Sequence, residues 1–360
     1  MDDPALWIAL RNVPGLHRFQ AQALLARFGS PEAVFARSAQ ELAAYCRLGT
    51  ALALARGPDL AAASAELEQV RELELQVLLP SGTEFPALLR EIPDPPLLLY
   101  ARGRLPPGPT LSIVGPRRPS ARGRELARAF AERLAAAGAV IVSGLAYGID
   151  AAAHEGALDA GAATVAILAS GLDRPSPIGN RRLAKRILAC GGAWLSEYAP
   201  GEHALAYRFP ERNRLISGLS AASLIVEARE RSGSLWTARH ATEQNRDVLV
   251  LPGPVDSDLC RGSNRLLQDG AIVILDVEDL LDQVFPGVQR GAPQPAPGAS
   301  LGAEPRRLLH ELRDGARDPD QLARTLGIPP SRLAAILLEL ELAGLILRDG
   351  TRIARRRDVG

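Results

Sequence analysis

The sequence predicts an α/β protein built on an extended Rossmann-like, doubly wound parallel sheet, with a helical domain before it and a winged-helix-like domain after it. Three observations predict this class. The middle of the chain alternates short apolar runs with helical stretches, the first residues are rich in Ala and Leu, and the last residues have the pattern of three helices and a hairpin. Runs without polar alternation indicate strands covered on both faces, as in parallel sheets. The expected domains are residues 1–78 and 79–285, a flexible linker at 286–303, and residues 304–360.

Residues 1–78 are expected to form the helical domain, of the helix-hairpin-helix or SAM-like type. The stretch 12–42 has the glycine-containing turn of a helical hairpin. Such a hairpin can present backbone N–H groups to DNA phosphates, and equally it can serve only for packing. Both roles stay open for this segment. Residues 80–107 are punctuated by proline and are expected to lead into the next domain.

Seven apolar runs of the central domain are predicted to be its strands. They are TLSIVG (110–115), AVIVSG (139–144), ATVAILASG (163–171), AWLSE (193–197), ASLIVEA (222–228), DVLVLPG (247–253) and AIVIL (271–275). Ligands of doubly wound sheets bind in the crevice at the carboxyl ends of the strands. The residues that follow the runs are therefore the candidate site.

Small, basic and aromatic residues collect at these strand ends. Small residues let backbone N–H groups approach a phosphate, and arginine adds bidentate contacts. The candidate nucleic-acid-binding residues are Gly115, Arg117, Arg118, Ser143, Gly144, Asn180, Arg181, Lys185, Phe209, Arg212, Asn213 and Arg214. Phe209 could instead fill the core, Asn213 could only bridge backbone groups, and several arginines could lie on solvated helix faces.

The number of cations exceeds what a dinucleotide requires. The first turn, Gly115-Pro-Arg-Arg, lacks the second and third glycines of GxGxxG, and the second strand ends in Ser-Gly where an acidic residue would hold the ribose. Several successive phosphates fit the arginines better. Because Phe209 among arginines offers a stacking face for an unpaired base, the pattern indicates single-stranded nucleic acid.

The end of the chain predicts a tether and a small helical module. Residues 286–303 are rich in Pro, Gly and Ala, which is typical of a flexible linker. Residues 304–357 have the pattern of a winged helix-turn-helix. Its candidate recognition helix, 331–343, carries Arg332 against Glu339 and Glu341, which favours a protein contact over reading of a DNA groove.

Composition excludes several classes of function. The chain has 360 residues and a formal net charge of +1, so any basic surface must be local. Lys185 is its single lysine and no Gly-Lys-Ser/Thr occurs, which excludes a P-loop. Three dispersed cysteines and five histidines without metal spacing argue against disulfides, zinc or another metal. Without a signal peptide or a membrane-spanning run, a soluble, cytoplasmic protein is expected.

Eight sequence blocks between residues 83 and 284 are similar to those of the DNA-processing protein A (DprA, or Smf) family, in the same order. They include SIVGPRR, VSGLAYGIDAAAHEGAL, TVAILASGLD, FPERNRLISGLS and RGSNRLLQDGA. The resemblance implies a protein that is not an enzyme and uses no cofactor. It also implies binding and protection of incoming single-stranded DNA, dimerisation through the Rossmann-like domain, and loading of the RecA recombinase during natural transformation.

The resemblance also assigns roles to single residues. It implies that Arg117 contacts DNA, that Phe209 contacts a base, and that Ser143 and Gly144 line the same pocket. The family usually has Tyr-Pro after Gly-Leu-Asp, where this chain has Ser176-Pro177. That loop is therefore expected to hold DNA by Asn180, Arg181 and Lys185.

A nucleoside-monophosphate N-glycosidase on a related fold is the alternative function. Such an enzyme needs a carboxylate near the sugar, and Glu227 or Glu243 is the best placed in the sequence. The turn at 231–237 lacks the glycine pair of those enzymes, which disfavours this alternative.

Overall fold

A computed structural model of the protein describes residues 2–285, 303–312, 317–342, 346–349 and 352–355. Contacts between Cα atoms divide the chain into two compact units, Met1–Gly287 and Val288–Gly360. The predicted linker at 286–303 lies outside the described residues except for its last residue. Among the described residues, no helix is both long enough and apolar enough to cross a membrane.

Within the first unit, nine strands of the described residues form one sheet. They are β1 (Gln76–Leu78), β2 (Leu99–Gly103), β3 (Thr110–Val114), β4 (Val140–Ser143), β5 (Thr164–Ile167), β6 (Ala193–Ser196), β7 (Ala222–Ile225), β8 (Asp247–Val250) and β9 (Ile272–Val273). Their order across the sheet is β1-β2-β6-β5-β4-β3-β7-β8-β9. The strands from β6 to β9 in this order pair in parallel, and each predicted run contains one of them. The predicted doubly wound parallel sheet is confirmed.

The helices that follow the strands cover both faces of this sheet. Those described up to residue 285 are α1 (Pro4–Arg11), α2 (Arg18–Phe28), α3 (Pro31–Phe35), α4 (Ala39–Leu42), α5 (Leu48–Ala55), α6 (Leu60–Glu72), α7 (Ala87–Arg90), α8 (Ala121–Ala136), α9 (Ile149–Asp159), α10 (Arg181–Ala189), α11 (Arg208–Gly218), α12 (Ser234–Glu243), α13 (Arg261–Gln268) and α14 (Val277–Val284). Successive residues of β5 belong to different core clusters: Ala166 joins one, and Val165 and Ile167 join the other. This alternation is expected for a strand buried on both faces.

The chain before β3 differs from expectation at two strands. The sequence predicted helical structure up to residue 78 and an irregular segment from 80 to 107, but β1 and β2 extend the sheet there by antiparallel pairing. Both strands are short: β2 pairs with β6, and β1 pairs with β2 at the edge of the sheet. Helices α1–α6 share a hydrophobic cluster with sheet residues such as Tyr100 and Trp194. Tyr100 accepts a hydrogen bond from Arg11 and donates one to Glu66, which joins the first helices to this edge.

Strand order creates a crevice in the middle of the sheet. After β3 the chain moves to β4 on one side, and later strands are added beyond β7 on the other side. The loops that leave β3 and β7 therefore diverge, and a crevice opens at their carboxyl ends. The candidate residues predicted from the sequence collect around this point.

The second unit contains three helices and a two-stranded hairpin among its described residues. They are α15 (Ala303–Glu311), α16 (Pro319–Leu326), α17 (Pro330–Leu342), β10 (Ile346–Asp349) and β11 (Arg352–Arg355). Leu308, Leu322, Ile336 and Ile353 contribute to a hydrophobic cluster of their own. The predicted winged-helix-like module is confirmed.

Candidate nucleic-acid interface

A pocket of about 420 Å³ occupies the crevice between β3 and β7. Its walls come from the loop after β3 and from the first turns of α9, α11 and α12. Two glycines allow the loop after β3 to pack against the start of α9. A Cβ at Gly115 would lie 2.5 Å from Ile149 Cγ1, and one at Gly148, where φ is +83°, would lie 2.3 Å from the Pro116 carbonyl oxygen. Neither position has room for a side chain.

Arg117 stands exposed at the mouth of this pocket. Its Cζ lies 4.6 Å from the centre of the Phe209 ring, within the range of a cation–π interaction. Among the described residues, Arg117 has neither a hydrogen bond nor an acidic partner within ion-pair distance. Its N–H groups are therefore available to an anionic ligand.

Phe209 belongs to the first turn of α11 and is half-buried on the pocket wall. One turn further, Asn213 donates to the Gly233 carbonyl oxygen at 3.2 Å and accepts from Arg212 Nε at 3.3 Å. Asn213 thereby links the start of α11 to the loop before α12. The Phe209 ring belongs to a partly open wall, which suits the stacking role better than the role of a core residue.

Arg212 is only 3% exposed and holds the strand ends together. Its Nη1 donates to the Gly144 carbonyl oxygen at 2.7 Å and to the Ile167 carbonyl oxygen. Burial lowers the pKa of Arg212 to about 10, and the nearby carboxylate of Asp150 acts in the opposite direction. The guanidinium therefore stays charged at neutral pH. A side chain at Gly144 would collide with it, since a Cβ there would lie 2.5 Å from Nη1.

Arg214 and Ser143 are also turned away from solvent. Arg214 is 2% exposed, donates to Glu197, and has its Nε 3.2 Å from Asp94 Oδ2. The Ser143 hydroxyl is buried and donates to the Ile113 carbonyl oxygen at 2.7 Å, which ties β4 to β3.

Four residues that were predicted to contact DNA have another role in this structure. Their polar groups are already used inside the protein, so they position the site and are not carried forward as contacts to a ligand. These residues are Ser143, Gly144, Arg212 and Arg214.

Further candidates flank the pocket. Arg118, Arg181 and Lys185 are exposed, and none has an ion pair among the described residues. Asn180 donates to the carbonyl oxygens of Leu145 at 2.8 Å and Ala146 at 3.1 Å, so it fixes the loop after β4 to the start of α10. These three cations remain predicted contacts, while Asn180 holds the backbone that carries two of them.

The same flank contains Tyr147, which sequence reasoning missed. Its hydroxyl accepts from the Gly179 amide at 3.3 Å, and its ring is exposed. Its position three residues after the end of a buried run, beside the glycine that precedes α9, was the available signal.

Sequence reasoning also missed the start of α12 as part of the site. Ser232, Gly233, Ser234 and Thr237 line the pocket where this helix begins. The first N–H groups of a helix attract anions, so this wall adds positive potential opposite the loop after β3. The pattern Ser-Gly-Ser, which follows the fifth predicted strand and precedes a helix, was the available signal.

The helix after β3, which holds phosphate in dinucleotide-binding proteins, is already occupied by a carboxylate. Glu227, at the end of β7, accepts from the Ser120 amide at 3.0 Å and from the Ser120 hydroxyl. Gly123 makes room for it, because a Cβ there would lie 2.4 Å from the carboxylate carbon. The start of α8 is therefore not open to a phosphate.

The fold and the site together define a doubly wound α/β protein with an arginine and aromatic pocket at the switch point of its sheet. The chain belongs to the family of DNA recombination-mediator protein A, whose model matches residues 76–285. Residues 292–350 match the DprA winged helix domain. Membership in this family gives the chain a role in DNA processing and recombination.

Relatives and solved structures cover most of the chain. It is 40% identical over 278 residues to Protein Smf of Escherichia coli, a match that spans 75% of this chain and 74% of the relative. It is 32% identical to the DNA processing protein A of Streptococcus pneumoniae, whose X-ray structure superposes with a TM-score of 0.69 over 79% of this chain and 99% of that one. A structure of DNA processing protein A from Helicobacter pylori, which concerns single-stranded DNA binding by that protein, has a TM-score of 0.53 at 32% identity over 58% of this chain and 95% of that one.

Proposed function

We propose that this chain is a recombination mediator that binds and protects incoming single-stranded DNA and loads RecA onto it during natural transformation. The observation that carries the proposal is the pair of Arg117 and Phe209. An exposed guanidinium, with no carboxylate of the described residues within ion-pair distance, lies against an accessible aromatic ring at the switch point of a doubly wound sheet. Such a pair can hold a phosphate and stack a base in one place.

Single strands fit this site better than duplexes. In a duplex each base is stacked between its neighbours, so its face is not offered to a side chain. Phe209 lies on the wall of a pocket, and a nucleotide must enter that pocket to stack on the ring. An unpaired strand can turn one base inward at no cost in base pairs.

The exposed cations outside the pocket favour a strand over a free nucleotide. Arg118 follows Arg117 directly, and Arg181 and Lys185 lie beyond the loop after β4. None has an acidic partner among the described residues. Because a mononucleotide within the pocket would leave these cations unused, they support contacts to successive phosphates of a strand.

The two carboxylates named for the glycosidase alternative, and the one that lines the pocket, are all engaged within the protein. Glu227 is buried and engaged with Ser120, and Glu243 lies on an exposed part of α12 in an ion pair with Arg239 at 2.9 Å. Asp150 lines the pocket, but it accepts from the Gly144 amide and lies beside Arg212. We propose a binding protein that is not an enzyme and that needs neither a cofactor nor a metal.

The proposal includes RecA, a second copy of the chain and a cytoplasmic location. These follow from the role of a recombination mediator, which must act where recombinase and incoming DNA meet. Membership in the mediator family and the winged-helix match support them.

Affinity for labelled oligo-dT, compared with a matched duplex across a salt series, tests the DNA-binding part of the proposal. We expect stronger binding to the single strand and a loss of affinity with salt. Equal affinity for both forms would contradict it. RecA-dependent ATP hydrolysis on long single strands, measured with and without the chain, tests the loading step. Incubation with AMP, followed by detection of free base, tests the enzymatic alternative.

A further inference from the structure

We infer that Trp236 and Arg239 form a second nucleotide subsite, continuous with the pocket of Arg117 and Phe209. This inference rests on the proposed binding of single-stranded DNA. It places the DNA strand across the surface from the first pocket, past Pro210, to the first turns of α12.

The two sites share a wall. A second pocket, of about 600 Å³, lies beside the first, and Pro210, Ser232 and Gly233 line both. Trp236 and Arg239 form its far side. A strand whose base occupies the first pocket therefore meets the second one without crossing another element.

Trp236 has the exposure of a binding residue. It is 46% exposed, whereas the other two tryptophans of the chain, Trp7 and Trp194, are 8% and 3% exposed. It is the third residue of α12, so its indole stands beside the same helix start that lines the first pocket. A large aromatic ring left open at this position can stack an unpaired base.

The second site repeats the pairing found in the first. Arg239 Cζ lies 5.7 Å from the centre of the Trp236 ring, as Arg117 Cζ lies 4.6 Å from that of Phe209. Arg239 is also paired with Glu243, and Glu230 lines the site beside the exposed Arg231. The local charge is thus mixed, and stacking on Trp236 is expected to contribute more to affinity here than contacts to phosphate.

Fluorescence of Trp236 tests this inference directly. Because Trp7 and Trp194 are buried, acrylamide-accessible fluorescence comes from Trp236. We expect long oligo-dT to quench the signal and protect it from acrylamide, and we expect a Trp236→Phe variant to lose this response. DNA binding by the native chain without any change in its fluorescence would overturn the subsite.

Binding of two oligonucleotide lengths provides the second measurement. Trp236→Ala should weaken binding of a long oligo-dT by about fivefold or more, as expected for one lost stacking contact, and Trp236→Phe should restore most of it. For an oligonucleotide that is too short to span both pockets, both variants should have the same affinity as the native chain. Unchanged affinity for the long strand, or an effect confined to self-association or to RecA, would identify this surface as a protein contact and overturn the inference.

Arg117→Ala separates this inference from the proposed function. If the native chain binds no oligo-dT, the proposed function fails. If it binds and Arg117→Ala weakens both lengths, while Trp236→Ala weakens neither, only the second subsite fails. Equal melting temperatures of the variants establish that they are folded.

Discussion

Arg117 and Phe209 contribute to the candidate site by different physical means. Arg117 offers charge and donors, so its contribution depends on the displacement of counterions from DNA. Phe209 offers a ring face, whose contribution comes from contact and from exclusion of water. The two residues touch, yet their effects on DNA binding can be separated by salt.

Arg117→Ala is expected to reduce affinity for oligo-dT by about 1–3 kcal/mol, the range for a hydrogen bond to a charged group. The plot of log affinity against log salt should become less steep, by about 0.7 for one lost phosphate contact on a single strand. Arg128→Ala is the matched control, because Arg128 is an exposed arginine paired with Asp159 at 2.7 Å. The pocket assignment is contradicted if both variants bind alike.

Phe209→Leu is expected to weaken binding without changing the salt dependence. Leucine keeps an apolar side chain on the wall but removes the stacking face, worth about 1–3 kcal/mol. Titration at several salt concentrations measures both quantities. A lowered melting temperature with native affinity would instead give Phe209 a packing role.

The sequence could locate these two residues because Arg117 follows the glycine at the end of a strand and Phe209 lies at the beginning of a helix. It placed Arg212 and Arg214 beside them as DNA contacts, and local pattern held a signal against this. Arg212 precedes Leu215 by three positions and Ile216 by four, so it shares the buried face of α11. Which acceptors it would find there, the carbonyl oxygens of Gly144 and Ile167, depends on the folded sheet.

At the scale of elements, α9 is joined to the sheet by a buried polar contact. His154 Nδ1 lies 2.9 Å from the Thr164 hydroxyl, which donates to the Ile141 carbonyl oxygen at 2.5 Å. The hydroxyl can therefore only accept from the histidine, which places the proton on Nδ1. His154 Nε2 is buried without a hydrogen-bond partner among the described residues. Burial, together with the charge of nearby Arg212, lowers the pKa of His154 to about 3.

This histidine is expected to make stability depend on pH. Below about pH 6.5 the unfolded chain takes up a proton that the folded chain does not, so stability falls as pH falls, until the loss levels off below about pH 3. Between pH 7 and pH 5 this residue should account for about 2 kcal/mol.

Urea unfolding of the native chain and of His154→Asn, at both pH values, measures this contribution. Asparagine keeps a donor for Thr164 and does not titrate. The native chain should lose more stability than the variant between the two pH values, and equal losses would show that another group is responsible.

The strands show which elements local pattern can predict. Runs that are buried on both faces, such as β3 and β5, consist mainly of apolar residues with only Ser or Thr among them, and they were identified from the sequence alone. The strands β1 and β2 were missed, because β2 pairs with β6, far away in the chain, and β1 pairs with β2. The start of α12 was not named as a wall of the pocket, because its position opposite the loop after β3 depends on the folded sheet.

At the scale of the whole molecule, DNA binding is expected to reside in the first unit. The exposed cations that are proposed to contact the DNA strand lie between residues 117 and 185. In the second unit, by contrast, Arg332 of α17 is already paired with Glu304 at 2.9 Å. A chain of residues 1–286 should fold and bind a short oligo-dT within about twofold of the full chain, a difference of about 0.4 kcal/mol.

Side-by-side titration of the two chains with the same oligonucleotide measures this. A loss of affinity for long strands alone would indicate that the second unit contributes avidity. A loss of about tenfold or more on the short strand would mean that the winged-helix module binds DNA itself, contrary to the interpretation of its charge.

The carboxylate of Glu227 at the start of α8 has a consequence for competition in the cell. Free nucleotides greatly outnumber incoming DNA strands, and many proteins of this architecture recognise them through the start of that helix. Here the chain's own side chain occupies that place, so a coenzyme or nucleoside triphosphate must displace an internal anion before it can dock there. A nucleotide that binds this chain must therefore use the neighbouring crevice instead of the start of α8, and the chain's own carboxylate excludes it from the position that coenzymes take in other proteins of this architecture.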